Sequence, residues 1–453
     1  MNPIAFRTSL IAAASFLLLS MAISVRLFSA EGISSLQIPA VLLIKPREST
    51  AVDQQIIAVQ QKLARNVQPG PELERLGWLL VAKARTSSDP GFYTLAGIAA
   101  DVLEKNFGWE NEALLLRGHV LQTKHRFAEA EAIARRLVAA RGYAADYALL
   151  GDALYDRGNA DGAAEAYQKL VDLRPGLDAY ARAANIRWLK GDLDGAVTLQ
   201  ALAVRSGSPN DAGALAWSLV RLGQLVWARG NAGEAAVHAA RACELVPDFP
   251  PALILQGRIL LATGRSQESL DPLLRATKIL PLPESRWVYA EALRASGREA
   301  EAKAVETVLV REGVAEDPRT VALFLATREI DPDTSVRLAA NELATRADVM
   351  THAVNALALA QAGRNGETVA QVRAALAEGT VDAHLFLQAG RALALAGQPE
   401  AVDLLTRARQ LAGILLPSEL RQLDQTLARL SAGVSPRVAV STKPNPHYDE
   451  IHL

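Results

Sequence analysis

This chain has little cysteine, few aromatics and no surplus of charge, and each shortage excludes something. Its 453 residues hold one cysteine, Cys243. A single thiol rules out internal disulfides and any cysteine-based metal site. Cys243 stands in the apolar run Ala239, Ala242, Leu245, which suits a buried packing thiol. Aromatics are 5% of the chain and period-two Val/Thr runs are missing, so a sandwich or barrel is excluded. With 48 basic and 49 acidic residues the net charge is −1, leaving no electrostatic case for nucleic acid. Phosphate-binding glycine loops, dinucleotide fingerprints, HExxH pairs and G-x-S-x-G elbows are absent. The histidines His119, His125, His238, His352, His384, His447 and His452 share no ligand-type spacing. No catalytic residue, metal site or cofactor is therefore expected. His447, Asp449, Glu450 and His452 read as a flexible polar tail.

What the chain does have is alanine and leucine at helical spacing, which makes it all-α. The stretch from Tyr147 to Pro175 reads as two short amphipathic helices and a stop. Leu150, Gly151 and Leu154 share one face of the first helix, and Ala163, Tyr167 and Leu170 one face of the second. Gly158 supplies the positive φ that ends the first helix, and Pro175 blocks continuation of the second. Neither helix can bury its face alone, so the unit must stack on a copy of itself.

The copies are present. Gly151 and Gly158 lie seven apart, and the offset returns at Gly223/Gly230, Gly257/Gly264 and Gly390/Gly397. Alanine takes the first slot at Ala184/Gly191, Ala290/Gly297 and Ala356/Gly363, and His125 takes the turn position in an earlier unit. First slots from 151 step by 33, 39, 34, 33, 66 and 34 residues, the step of 66 hiding one worn unit. Twelve after each slot stands a short residue: Ala163, Ala196, Ala235, Ser269, Ala302, Thr368 and Val402. The slot and this residue are expected to face each other where the helices cross at roughly 8–10 Å. This pattern, over about residues 71–411, resembles the tetratricopeptide repeat (TPR) family. The resemblance implies a right-handed α-solenoid of stacked helix-turn-helix units.

Along the chain, residues 1–30 read as a signal peptide or membrane anchor, with Arg7 ahead of the uncharged stretch Thr8 to Val25. Residues 31–70 form a linker and an N-terminal capping helix, 71–411 some nine to ten repeats with 317–348 degenerate, 412–430 a C-terminal capping helix and 431–453 a disordered tail. The body is thus expected to be exported, either anchored in an inner membrane facing the periplasm or soluble there once cleaved.

In a stack of this kind the first helices line a concave groove, with side chains one and four residues after each slot. Those positions, with Arg182 and Arg221 two before theirs, bring together Tyr155, Arg182, Asn185, Trp188, Arg221, Gln224, Trp227, Arg258, Glu291 and Arg294. Aromatic and arginine side chains beside amides are the composition of binding hot spots. The resemblance implies a peptide or helix of a protein partner in that groove; a free C-terminus is not expected, because no lysine stands at the lining positions. Two readings follow: a tethered scaffold for protein partners in envelope assembly or secretion, and a periplasmic binder of a small ligand or polysaccharide.

Overall fold

A computed structural model describes residues 38–433 apart from 48, 49 and 88. The export segment and almost all of the tail lie outside the described residues. The chain divides into two compact units: residues 1–80 with 95–113, and 81–94 with 114–453.

Within the smaller unit, a 3-10 turn at Ala40–Leu43 precedes helix α1, Ala51–Ala64. Thr50 and Asp53 form a capping box at the start of α1. Gln60 Nε2 donates to the carbonyls of Leu42 and Ile44, both at 2.9 Å, and pins the turn to the helix. Ile56, Val59 and Leu63 are buried as their spacing suggests, whereas Val67, beyond the helix end, is exposed.

The described residues form no strand; after α1 come ten helix pairs and a last helix. The pairs are α2 Pro69–Ser87 and α3 Gly91–Phe107; α4 Glu110–Thr123 and α5 Phe127–Ala140; α6 Ala144–Asp156 and α7 Ala160–Leu173; α8 Leu177–Leu189 and α9 Leu193–Ser206; α10 Ala212–Ala228 and α11 Ala232–Leu245. They continue as α12 Pro250–Ala262 and α13 Ser266–Ile279; α14 Pro283–Ala295 and α15 Glu299–Glu316; α16 Pro318–Arg328 and α17 Pro332–Thr345; α18 Val349–Gln361 and α19 Asn365–Leu376; α20 Ala383–Leu395 and α21 Ala401–Gln410. α22 is Pro417–Ser431. In the larger unit each pair stacks on the next in chain order, an all-α solenoid.

The turn glycines carry the expected backbone. Gly158, Gly191, Gly230, Gly264, Gly297, Gly363 and Gly397 all have φ between 71° and 91°. His125 holds the same place at φ 56°. The worn unit is whole as well: Glu329, seven after Ala322, sits in the left-handed region at φ 58° and ends α16. The degenerate stretch lost its glycines and kept its helices.

Inside a repeat, the contact partner of the slot differs from expectation. Ala163 is fully buried, but a Cβ at Gly151 would run into the ring of Tyr167. At Gly257 it would meet Leu273 in the same way. In these two units the slot is kept small for the large residue sixteen positions on, whereas at Gly223 the nearest atoms belong to Leu255 of the next unit and to the Ala235 backbone twelve positions on. In the last pair everything arrives one residue early. Ala401 is buried, Val402 is exposed, and Leu405 covers Gly390, because the buried alanine follows its turn glycine by four residues here (397 to 401) where it follows by five at Gly158 and Ala163. The stretched step of 39 also goes partly into structure, since α10 runs 17 residues where α8 and α12 run 13. Cys243 is half-buried rather than buried, with its thiol pushed up by desolvation.

Second helices start in two ways. Asn159, Asp192 and Asn231 accept the backbone N–H three residues on, the usual N-cap bond. Arg126, Arg265, Arg298 and Arg364 instead clamp the glutamate at that third position, for instance Arg126 Nε to Glu129 at 2.6 Å.

Candidate functional site

In the larger unit the chain returns onto its own first repeats. The loop after α17 seats on the turn after α6, where the Ala347 N–H donates to the Asp156 carbonyl at 3.0 Å. The loop after α19 seats on the turn after α8, where Thr380 Oγ1 donates to the Leu189 carbonyl at 2.6 Å. The carbonyls of Ala347 and Gly379 lie so close over Gly158 and Gly191 that neither glycine has room for a Cβ. Lys190 and Glu378 pair across the second contact at 2.6 Å. Leu189, Val349, Trp188 and Met350 share a small apolar cluster beside it. Burial pushes the Asp156 carboxyl up to about 6, while Arg346, 3.4 Å away, works in the opposite direction.

This return changes the groove. Five of the ten expected lining residues are engaged within the protein. Tyr155 packs on Ala160, Leu189 and Val349. Arg182 is clamped to Asp152 through Nε and Nη2, each at 2.7 Å, and Tyr167 donates to the same carboxylate. Asn185 accepts from Arg221 Nε at 3.0 Å. Glu291 is 2% exposed and takes Arg328 at 2.7 Å. Arg294 is held by Glu306 and Glu299. An open row of side chains was expected; instead the polar groups are satisfied within a repeat or by the next one along, and only Tyr155 meets the returning segment.

The other five, Trp188, Arg221, Gln224, Trp227 and Arg258, line one cavity of about 360 Å3. The far wall comes from residues outside the expected ten: Trp287 on α14, Met350 and Val354 on α18, His384 and Gln388 on α20, and Leu416 with Glu419 at the start of α22. One clue was available. Gln388 stands two residues before the slot Gly390, as Arg182 and Arg221 stand before theirs, so the same rule carried to the last repeat reaches it.

The polar chemistry centres on His384. Its Nε2 lies 3.5 Å from Glu419 and its Nδ1 3.7 Å from Asp382. Burial opposes protonation, but the two carboxylates outweigh it and lift the ring to about 9. Glu419, against the cost of burial, is held down at about 2 by His384 and Arg258. Arg258 Nη2 is 3.0 Å from Nε2, a distance that suits only a neutral ring, because a guanidinium cannot accept. The carboxylates near both ring nitrogens favour the imidazolium and the Arg258 contact opposes it; Arg258 has Glu284 as its own carboxylate at 3.9 Å.

Arg221 is different. Its hydrogen-bond partners are the amide oxygens of Asn185 and Gln224, and its guanidinium lies 5.0 Å over the Trp188 ring. No described carboxylate stands within ion-pair distance of it; desolvation lowers its basicity, against a longer-range pull from Tyr155 and Asp382. Two further buried groups in the wall have no hydrogen-bond partner: the Trp227 indole N–H and the Gln388 side-chain oxygen. Trp227 is 5% and Gln388 7% exposed.

The helix pairs can now be compared with known proteins. A tetratricopeptide repeat profile matches residues 115–177, 148–212 and 220–282. These segments are tetratricopeptide repeats. The repeat continues by helix pairing beyond the matched segments. No curated protein matches the chain in sequence. Among solved structures it is similar to MamA, at 19% identity over 36% of this chain and 93% of that one, with a TM-score of 0.30. It is also similar to YrrB, described as a TPR protein with an unusual peptide-binding site, at 18% identity over 41% of this chain and 92% of that one, TM-score 0.29. At that level the likenesses speak to neither ligand nor role. Among the described residues no helix is long and apolar enough to cross a membrane.

Proposed function

We propose that this chain is a tetratricopeptide scaffold that binds a protein partner, exported and tethered by its N-terminal segment, and that it acts in envelope assembly or secretion. The repeats support a scaffold. The observation that carries partner binding is the tryptophan and arginine wall of α8, α10 and α12, where Trp188, Arg221 and Arg258 stand beside the solvent-exposed Gln224. Export and tethering rest on Arg7 and the uncharged stretch that follows it.

The space available favours a short peptide over a helix or a polymer. An α-helix with its side chains is about 10–12 Å across, and helices of the same chain already lie along the groove. A cavity of about 360 Å3 takes one or two side chains of a partner segment. The test is a cross-linked pull-down from an envelope extract with the full chain, beside a Trp188→Ala/Arg258→Ala version. A protein retained by the first and lost with the second supports the reading. Equal retention by both, with circular dichroism unchanged, overturns the cavity as the docking point. Extraction of the full chain with soluble proteins would overturn the tether, and protection of its body from protease in spheroplasts would overturn export.

A further inference from the structure

The cavity has features that a protein partner does not require. Arg221 is a half-buried cation that hydrogen-bonds only neutral amides and lies over a ring face, with no described carboxylate in ion-pair contact and Asp382 acting on it only at longer range. A partly desolvated charge with no carboxylate in contact is under-compensated, and an anion supplied from outside relieves that cost. On the same helix, α10, the buried Trp227 N–H is a donor with nothing to donate to. On α20, Gln388 presents a buried carbonyl oxygen with nothing to accept from. Between them lie apolar and aromatic surfaces, Trp287, Val288, Leu323, Met350 and Val354. The three acids of the wall are already committed, Asp382 and Glu419 to His384 and Glu284 to Arg258. The charge facing the cavity with no carboxylate in contact is that of Arg221, and it is positive.

We infer that the cavity is a binding site for a small free organic acid: one carboxylate on an apolar, ring-containing body that also carries one hydrogen-bond donor. The carboxylate takes Arg221 and the Trp227 N–H, the body lies against Trp188 and Trp287, and the donor reaches Gln388. A volume of about 360 Å3 is at the small end of ordinary ligand pockets. This goes beyond the partner reading and needs no second protein, so either can fail without the other.

The probe is indole-3-acetate, with its neutral amide indole-3-acetamide and with phenylacetate and octanoate as comparison acids, titrated against the purified full chain. Calorimetry and the melting temperature are the readouts. Indole-3-acetate should bind, raise the melting temperature, and bind at least about tenfold more tightly than its amide, the worth of a charge-assisted hydrogen bond. Arg221→Gln should remove that preference for the acid. Trp227→Phe, which loses the N–H along with part of the ring, should weaken the acid several-fold and lower the unliganded melting temperature by the cavity it leaves, so the comparison is read as the ratio of acid to amide affinity within the variant. Three results would overturn the inference: no acid binding at millimolar concentration, equal binding of acid and amide, or an Arg221→Gln protein that folds and keeps the preference. Binding only of a carboxylate carried on a peptide would overturn it too, in favour of the partner reading.

Discussion

Gly158 and Gly264 stand at the same place in their repeats and have nearly the same backbone, φ 80° and 78°. Their surroundings have nothing in common. Gly264, like Gly297, has no atom within 4 Å of where a side chain would begin. Gly158, like Gly191, is covered by a main-chain carbonyl from a loop far along the chain. In the repeats from 250 to 316 the turn glycine serves only the turn. In the two repeats from 144 to 206 it serves the turn and also makes room for another part of the molecule. The lesson is that a repeat states its own geometry and says nothing of what will be laid on it.

Substitution should separate the two kinds. Gly264→Ala and Gly297→Ala should each cost only the left-handed conformation, ~1–2 kcal/mol. Gly158→Ala and Gly191→Ala add a clash with a carbonyl worth a further ~1–3 kcal/mol. They should also raise hydrogen exchange in residues 345–349 and 377–381, as the Gly264→Ala protein should not. Equal losses in all four, with no change in exchange, would break the comparison.

A smaller effect comes from the buried hydroxyl in the second contact. Thr380→Val keeps the shape and removes the bond to the Leu189 carbonyl, at a cost of ~1 kcal/mol. The matching change outside the contact, Thr263→Val, removes only a bond to the chain's own preceding turn and should cost clearly less. A reversed order would mean that the loop after α19 contributes little to holding the two segments together.

The pH dependence tests the cavity end of the same contact. Against the desolvation that lowers it, His384 is raised from 6.5 to about 9 by Glu419 and Asp382, and Arg258 stands 3.0 Å from its Nε2. A raised folded value means that the protonated ring stabilises fully below about 6.5, and that this contribution is lost as pH rises through about 9. The melting temperature should therefore fall between pH 7 and 10, and His384→Gln should start lower at pH 7 and flatten the fall. A wild-type protein as stable at pH 10 as at pH 7 would contradict this arrangement. The smallest effect is expected at the arginine clamps. Glu268→Gln breaks a solvent-exposed pair and should leave the unfolding midpoint unchanged within error.

Much of the fold was legible because a solenoid writes its contacts at fixed short offsets. Glycine at the turn, alanine twelve after the slot and proline after the second helix each report a local steric need, and the structure places them so. The partner of the slot was not separable. Ala163 and Tyr167 lie four apart on one helical face, and only coordinates tell which of them covers Gly151. Half of the candidate residues reached the cavity because position in the repeat does set direction: Trp188 and Trp227, both four after their slots, point inward as the rule requires. The half that did not, such as Arg182 and Glu291, found acids and arginines that periodicity cannot announce. The far wall was illegible for the same reason. Nothing in the loops Arg346-Ala347-Asp348 or Gly379-Thr380-Val381 repeats, so no offset pointed from them to Asp156 or Leu189.

The two long contacts share one spacing. Asp156 to Ala347 and Leu189 to Thr380 are each 191 positions apart, the first by subtraction (347 − 156) and the second as the hydrogen bond itself spans. Repeat arrays commonly vary by gaining or losing whole units, which an open stack tolerates because each unit knows only its neighbours. Here such an event between residues 192 and 345 would shift both loops out of reach of both turns at once. The copy number of this stretch is thereby counted by the molecule, and a lineage carrying this contact can drift in composition far more easily than in length.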